Sequence, residues 1–505
     1  MSVYDRTGVV ELARKLVEKG MPIYATGGTR AHLVEHGIDA FDVGELTGFP
    51  SLFSGRVKTL HPKIFGAILS DRNNPAHMAE AAANGIPAIG VVVVNLYPFE
   101  QTVAREGASL EEAVEQIDIG GVALIRAAAK NFDHVSVLVD PDDYALFLEA
   151  NAAPDPVMRR RLATRAFERT AEYDSSIARY LEAGLLASEL PGSLALTLPL
   201  ATPLRYGENP QSRAAFYLSR TESLPEQLGG KELSYNNLLD LDATLRLLVR
   251  EVPESAQGVV RAAIVKHTVP CGVAERETAL AAVRAALDTD PVSAYGGIIA
   301  LDGRVDLPTA EALAEFFLEI VAAPEFDDDA LARLRVKKNL RIIRYDPRLP
   351  SRLAAELRVR SALGGVLAEE DDTDYPPETW RVVSARQPTA QEWRDLRFAW
   401  DIVRHVKSNG VVIVRDGVTR GMCAGQTNRV SAVRIAGIRA AEFATGAACA
   451  SDGFFPFADG LEAAVDAGCS AIIAPDGSIR DKEVVAAADA RGIALVFSSH
   501  RYFLH

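Results

Sequence analysis

The spacing of apolar residues divides the first 150 positions into alternating helices and strands. Val9, Leu12, Leu16 and Val17 recur at helical intervals and predict a helix over residues 8–19. Pro22 to Ala25 reads as a short strand, Thr26-Gly27-Gly28-Thr29 as the turn after it, and Ala31 to His36 as the next helix. Val91 to Val94, inside the most apolar stretch of the chain, has the unbroken hydrophobicity of a central parallel strand. A further strand is expected over Val135 to Val139. Such alternation implies βαβ units, with ligands at the carboxyl ends of the strands. Residues 155–190 read as helical throughout, and the uncharged stretch from Gly192 to Pro203 suits a crossing between domains near 190–200.

The remainder is again mixed α/β. Ile264 and Val265 read as a buried strand that delivers Lys266 and His267 to its end, with Pro270 and Gly272 turning the chain. Leu396, Trp400, Val403 and Val406 mark one helix face, followed by a strand over Val411 to Val414. Ile264 to Gly272 and Val411 to Gly425 share one pattern, strand then glycine-bearing turn, which hints at an internal duplication. Glu325 to Asp329 and Glu369 to Asp374 are expected to be exposed acidic loops.

Length changes this picture first: 505 residues exceed one core and suggest about three or four structural units. A net charge of −14 argues against a general nucleic-acid binder, although local basic clusters could still hold small anions. Four cysteines with no C-x-x-C pair argue against a disulfide framework and fit a reducing cytoplasm. No stretch is apolar enough for a membrane span or a signal peptide.

Candidate chemistry follows from composition at turns. Thr26 to Thr29 could offer backbone N–H groups to an anion or simply close a tight turn. Gly55-Arg56-Val57-Lys58-Thr59-Leu60-His61 packs three potentially cationic side chains together, a phosphate clamp or a solvated basic loop. Gln116-Ile-Asp118-Ile-Gly120-Gly121 sets a carboxylate before a helix that ends at Lys130, and a lysine and an aspartate around one substrate can shuttle protons. Arg205 lies in a polar loop. Lys266 beside His267 suits a proton transfer with an anion to stabilise, against the alternative of a solvated lysine next to a core histidine. Neither the zinc-deaminase pattern, which would need a Glu at 269 and a Cys at 274, nor a dinucleotide or Walker fingerprint is present, so neither zinc nor a redox cofactor is expected.

Taken in order, these motifs resemble the bifunctional AICAR transformylase/IMP cyclohydrolase family of purine biosynthesis. The resemblance adds Asn95-Leu-Tyr97-Pro-Phe, Leu204-Arg-Tyr206-Gly-Glu-Asn-Pro, Lys407-Ser-Asn409, Gly425-Gln426, Phe454-Phe-Pro-Phe and His505. It implies a methylglyoxal-synthase-like cyclohydrolase domain over 1–195, closing FAICAR to IMP, and a transformylase region over 196–505 built from two zinc-free cytidine-deaminase-like subdomains. Lys58, Tyr97, Asp118 and Lys130 would surround the reacting centre of the first. Arg6, Thr26, Gly27, Gly28, Thr29, Arg56, Thr59 and Asn95 would bind its nucleotide. In the second, formyl transfer from 10-formyltetrahydrofolate to AICAR would use His267 as base, Lys266 as oxyanion support and Asn409 to orient the donor. Arg205, Tyr206, Gly296 and Arg429 would bind nucleotide, and Phe454, Asp459, Arg501 and Phe503 would line the folate pocket. The implied state is a cytoplasmic homodimer with transformylase sites at its interface, with no nucleic-acid or membrane partner.

Three positions depart from the family pattern: the first strand looks clipped, Arg6 stands for the usual Lys, and Val269 for a common Asn. Two other readings compete: one half retained only as a binding or dimerisation module, or a single-function enzyme on the first domain, which leaves the second unexplained.

Overall fold

Both faces of the strand Val91–Asn95 are covered, which is why consecutive valines suit it. Val92 and Val94 pack with Phe99, Ile125 and Tyr173, while Val93 joins Leu12, Leu16 and Phe147 on the other face. A computed structural model describes residues 1–105, 107–183, 190–220, 222–250, 258–370, 372 and 380–505. It divides into two compact units, Met1–Leu200 with Tyr217–Ser223, and Ala201–Phe216 with Leu224–His505.

In the first unit, Val91–Asn95 is the middle of a three-stranded parallel sheet. Ser2–Val3 flanks it on one side, with Ser2 opposite Val94, and Ser136–Leu138 on the other. Ser2–Val3 thus forms the sheet edge with two residues. Expectation and structure differ at several boundaries. The helix expected from Ala31 spans Gly27–Glu35, so Gly27, Gly28 and Thr29 are its first turn rather than a preceding loop. The helix ending at Lys130 starts at Ile119, with Asp118 as its N-cap. The long helix is Pro156–Ala183; positions 184–189 lie outside the described residues.

The second unit is organised by a 12-stranded sheet whose order is nearly palindromic about its centre. One half runs from helix Tyr235–Arg246 to the hairpin Val260–Lys266/Val269–Arg276, then helix Ala279–Leu287 and three parallel strands, Gly297–Leu301, Leu318–Ala323 and Arg341–Arg344. The other repeats this with helix Ala390–Val403, hairpin Val411–Arg415/Val418–Cys423, helix Arg429–Ala440 and strands Ala448–Ser451, Ala471–Pro475 and Ala494–Ser498. The hinted duplication is thus half of a sheet. The inner strands of the hairpins pair antiparallel, Ala274 opposite Val418. At equivalent places Gly272 and Gly421 let a helix press on the strand: an added Cβ would lie 2.0 Å from the Ala286 carbonyl oxygen and 2.1 Å from that of Ala436.

Two sequence expectations need correction here. The turn after Lys266 is made by His267 and Thr268, while Pro270 and Gly272 belong to the returning strand. The acidic run Glu325 to Asp329 is not simply a loop, because Asp328 and Asp329 open the helix Asp328–Arg335, where carboxylates complement its positive end. Glu369 closes the strand Gly365–Glu369, and positions 371, 373 and 374 of that acidic run lie outside the described residues.

Gly421→Ala is expected to destabilise the protein by at least about 2 kcal/mol through overpacking, seen as a lower urea midpoint. Gly192→Ala, where nothing lies within 4 Å of the added carbon, should stay within about 0.5 kcal/mol of the parent.

Candidate active sites

In the first unit, Thr26 caps its helix without a side-chain hydrogen bond, which leaves the first-turn N–H groups pointing at open space. The Arg6 guanidinium lies over this turn, 3.4 Å from where a Gly28 side chain would begin. Thr29 is committed elsewhere: its hydroxyl accepts from the Val3 N–H at 3.0 Å and donates to the Val3 carbonyl, so only its main chain can serve an anion. Asn95 likewise acts on the chain itself. It accepts from the Asp5 N–H at 2.9 Å and donates to the Asp5 carbonyl at 2.9 Å, which fixes the segment leading to Arg6. The Tyr97 ring, partly exposed, meets Tyr4 edge-on with centroids 6.2 Å apart.

Asp118 is brought together with Lys58 and the main chain of Tyr97. Burial pushes its carboxyl pKa up, opposed by the Gly121 N–H at 2.6 Å, the charge of Lys58 and the Tyr97 N–H. The Gly120–Gly121 turn packs on Thr59, whose hydroxyl lies 2.8 Å from where a Gly120 Cβ would be. Two expected members are elsewhere. Lys130 ends the helix that Asp118 begins, roughly 18 Å away along its axis, too far to share a reacting centre within one chain. Arg56 is exposed and ion-paired with Glu115. Sequence reasoning missed Tyr173, whose buried hydroxyl donates to the Gln116 carbonyl at 2.6 Å and accepts from the Asp118 N–H at 2.9 Å. Helical periodicity marks it only as core.

In the second unit, the Lys266 ammonium donates to the Tyr295 carbonyl at 2.7 Å, and the His267 ring is exposed at the hairpin tip. Tyr295 rests on Phe317, centroids 5.0 Å apart, and Gly296, at φ +76°, bonds the Phe317 carbonyl through its N–H at 2.7 Å. Phe317 continues into a cavity of about 830 Å³ that also meets Arg205, Tyr206, Lys231, Asn237 and Lys338. Arg205 stacks on Tyr206 there, its Nη2 donating to the ring hydroxyl at 3.0 Å. A basic, partly aromatic cavity of this size suits a nucleotide monophosphate. Of its lining residues, only Arg205 and Tyr206 were singled out from sequence as ligand-binding, because Lys338 and Phe317 sit in stretches with no motif.

A second cavity, of about 530 Å³, joins Lys266 and His267 to Asp290, Arg420 and Arg439. Topology places Asn409 at the same end of the sheet: its strand runs antiparallel to that of His267 with two strands between, roughly 14 Å across. Asn409 Nδ2 donates to the Gln426 carbonyl at 2.8 Å. Arg429 does not reach a free site. Its buried guanidinium is paired with the fully buried Asp452 and also bonds the Gly410 carbonyl, because a buried charge must find a partner. Phe503 packs across Gly453 beside Arg429 and carries Arg501 over its face at 4.8 Å. Phe454 is half-buried nearby in sequence, and Asp459 is exposed in the first turn of Ala458–Ala467. His32, Glu35 and His36 form a surface group of metal-ligating type among the described residues, on the Gly27–Glu35 helix and its C-cap.

Two family models match the chain. Residues 128–439 match the model described as AICARFT/IMPCHase bienzyme, and residues 8–123 match that of the MGS-like domain. The chain is 50% identical to the bifunctional purine biosynthesis protein PurH of Chloroflexus aurantiacus, with 100% of this chain and 98% of that protein covered. Proteins of the same description from Desulfitobacterium hafniense and Myxococcus xanthus are each 47% identical, covering 100% of this chain and 99% of theirs.

Because the folded Asp118 holds its proton more tightly than the unfolded chain does, it lowers stability as pH rises from the ordinary aspartate range through its raised pKa. Asp118→Asn keeps a capping oxygen without that penalty. It should melt above the parent at pH about 7, with the advantage shrinking toward pH about 4; a lower melting temperature at neutral pH would contradict this.

Proposed function

From the premise that the chain belongs to the AICARFT/IMPCHase bienzyme family, we propose how its two activities are divided between its units. The protein is an AICAR transformylase and IMP cyclohydrolase, performing the last two steps of purine biosynthesis. We assign cyclisation to the first unit, which carries the MGS-like match, and formyl transfer to the second. The observation that carries the assignment is the pair Lys266 and His267 lining a cavity of about 530 Å³ with Arg420 and Arg439, and linked through Tyr295 and Phe317 to the basic cavity of about 830 Å³.

In the transformylase reading, the AICAR phosphate is held among Arg205, Lys231 and Lys338, and the nucleotide extends past Phe317 toward the hairpin tip. The 5-amine is conjugated to a carboxamide and is a weak nucleophile, so rate depends on placing it and on removing its proton. His267 takes that proton. Lys266 spends one of its three N–H donors on Tyr295 and keeps two for the developing oxyanion. The formyl donor is 10-formyltetrahydrofolate, with Asn409 orienting its formyl group and Phe454, Asp459, Arg501 and Phe503 along its pocket. The aromatic and cationic character of the Phe503–Arg501 pair fits a flat pterin with an acidic tail.

In the cyclohydrolase reading, the FAICAR phosphate sits on the first turn of Gly27–Glu35 under Arg6, and the carboxamide nitrogen closes on the formyl carbon as water leaves. Asp118, with its raised pKa, and Lys58 manage the protons, and Tyr97 lines the base. Within one chain, Lys130 and Arg56 stand apart from this set. Neither half needs a redox cofactor or zinc for these steps. A cytoplasmic placement suits four buried free thiols; among the described residues no helix is long and apolar enough to cross a membrane.

A homodimer completes the reading. The hairpin Arg358–Ala362/Gly365–Glu369 exposes Val359, Leu363, Val366 and Leu367, apolar area that a second copy would cover.

Supplied with AICAR and 10-formyltetrahydrofolate, the protein should yield IMP. His267→Ala should lose formyl transfer by at least about 100-fold while FAICAR cyclisation stays within about threefold; joint loss of both would refute independent sites. Leu363→Ser/Leu367→Ser should shift the sedimenting species from dimer toward monomer, and an unchanged dimer would remove this hairpin from the interface.

A further inference from the structure

The residues at the tip that carries His267 both have left-handed backbones, with φ +56° at His267 and +60° at Thr268. Two-residue hairpin tips of this kind favour glycine and asparagine, and a β-branched residue such as Thr268 resists the geometry. The duplicate hairpin has Asp416 and Gly417 at the same place, φ +54° and +66°, where glycine adopts the conformation freely. Strain at a tip persists only where the surroundings enforce it.

Both tips are enforced in the same manner. Asp240, from the helix Tyr235–Arg246, accepts the His267 N–H at 3.1 Å with one carboxylate oxygen and the Thr268 N–H at 2.7 Å with the other. Asp395, from the matching helix Ala390–Val403, accepts the N–H groups of Asp416 at 3.0 Å and Gly417 at 2.8 Å. The device therefore belongs to the duplicated scaffold, and only one copy presents a base. Among the described residues the His267 ring makes no hydrogen bond of its own, so its direction is inherited from the main chain of the tip. Lys266 is tied down separately, through Tyr295.

We propose that Asp240 is the positioning residue for His267: its carboxylate, by clamping the two turn N–H groups, aims the imidazole at the AICAR amine. This rests on the transformylase reading of the second unit. Asp395 does the same mechanical work in the other half with no catalyst to aim, which supplies an internal control.

The test uses the full-length enzyme and three readouts: formyl-transfer kcat, AICAR affinity by calorimetry, and FAICAR cyclisation. Asp240→Asn keeps the volume and one acceptor oxygen but turns an amide N–H toward a turn N–H. It should lower kcat by more than about tenfold, as a misplaced base does, with AICAR affinity and cyclisation within about threefold. Asp395→Asn should lower the melting temperature yet keep kcat within about threefold. The proposal is overturned if Asp240→Asn keeps kcat within about tenfold of the parent, or if the two variants lose kcat equally. Should Asp240→Asn not fold, Asp240→Glu, one methylene too long to meet both N–H groups, is judged by the same threshold. A parent enzyme with no formyl transfer would instead sink the functional reading.

Discussion

Everything in the second unit hangs on the antiparallel pairing between the inner strands of its two hairpins. The Thr419 hydroxyl bonds both the N–H and the carbonyl of Val273, and the Glu275 N–H reaches the Gly417 carbonyl at 3.0 Å, so the seam is stitched at its centre. Beside it lies an ion cluster that joins the halves. Arg261, from the first half, bonds Asp401 of the second at 2.7 Å and Glu275 at 2.8 Å. Burial alone would loosen the Arg261 proton; Asp401 and Glu275 reverse that and raise its pKa. Glu275 is half-buried, and Arg261 and Arg250 hold its carboxyl below the ordinary range. Buried pairs of this kind add little net stability but punish a mismatched partner heavily, which makes them devices of registry.

The two candidate sites use opposite electrostatics. Asp118 is a carboxylate that burial keeps reluctant to ionise, at the mouth of a helix whose dipole and N–H groups partly compensate. The Lys266–His267 tip is open: it lines a cavity with Arg420 and Arg439, and the His267 ring is exposed. Proton traffic during dehydration profits from a group poised between states, whereas capture of a formyl group profits from positive charge held in place.

Much of this was legible in the sequence, because local order carries local chemistry. Four valines in a row announced a strand buried on both faces. What was not legible came from long-range packing. Arg429 looked like a free cation and is consumed by Asp452, and Arg56 is paired with Glu115. Lys130 shares a motif with Asp118, but one unbroken helix keeps them at opposite ends. The turn at His267 escaped because neither histidine nor threonine advertises a left-handed backbone; the carboxylate that permits it lies 27 residues upstream. The duplication, faint in sequence, is plain in strand order, since sheets preserve topology after side chains diverge.

Asn237 lines the basic cavity, and Asp240, one turn further along the same helix, grips the tip that carries His267. If Asp240 aims the imidazole as proposed, a nucleotide seated against Asn237 leans on the same lever. Occupancy and aim become a single mechanical coordinate, and a slip of that helix by one residue would mistune both together. Selection acting on substrate fit in this unit is, through a helical turn, also selection on the angle of attack.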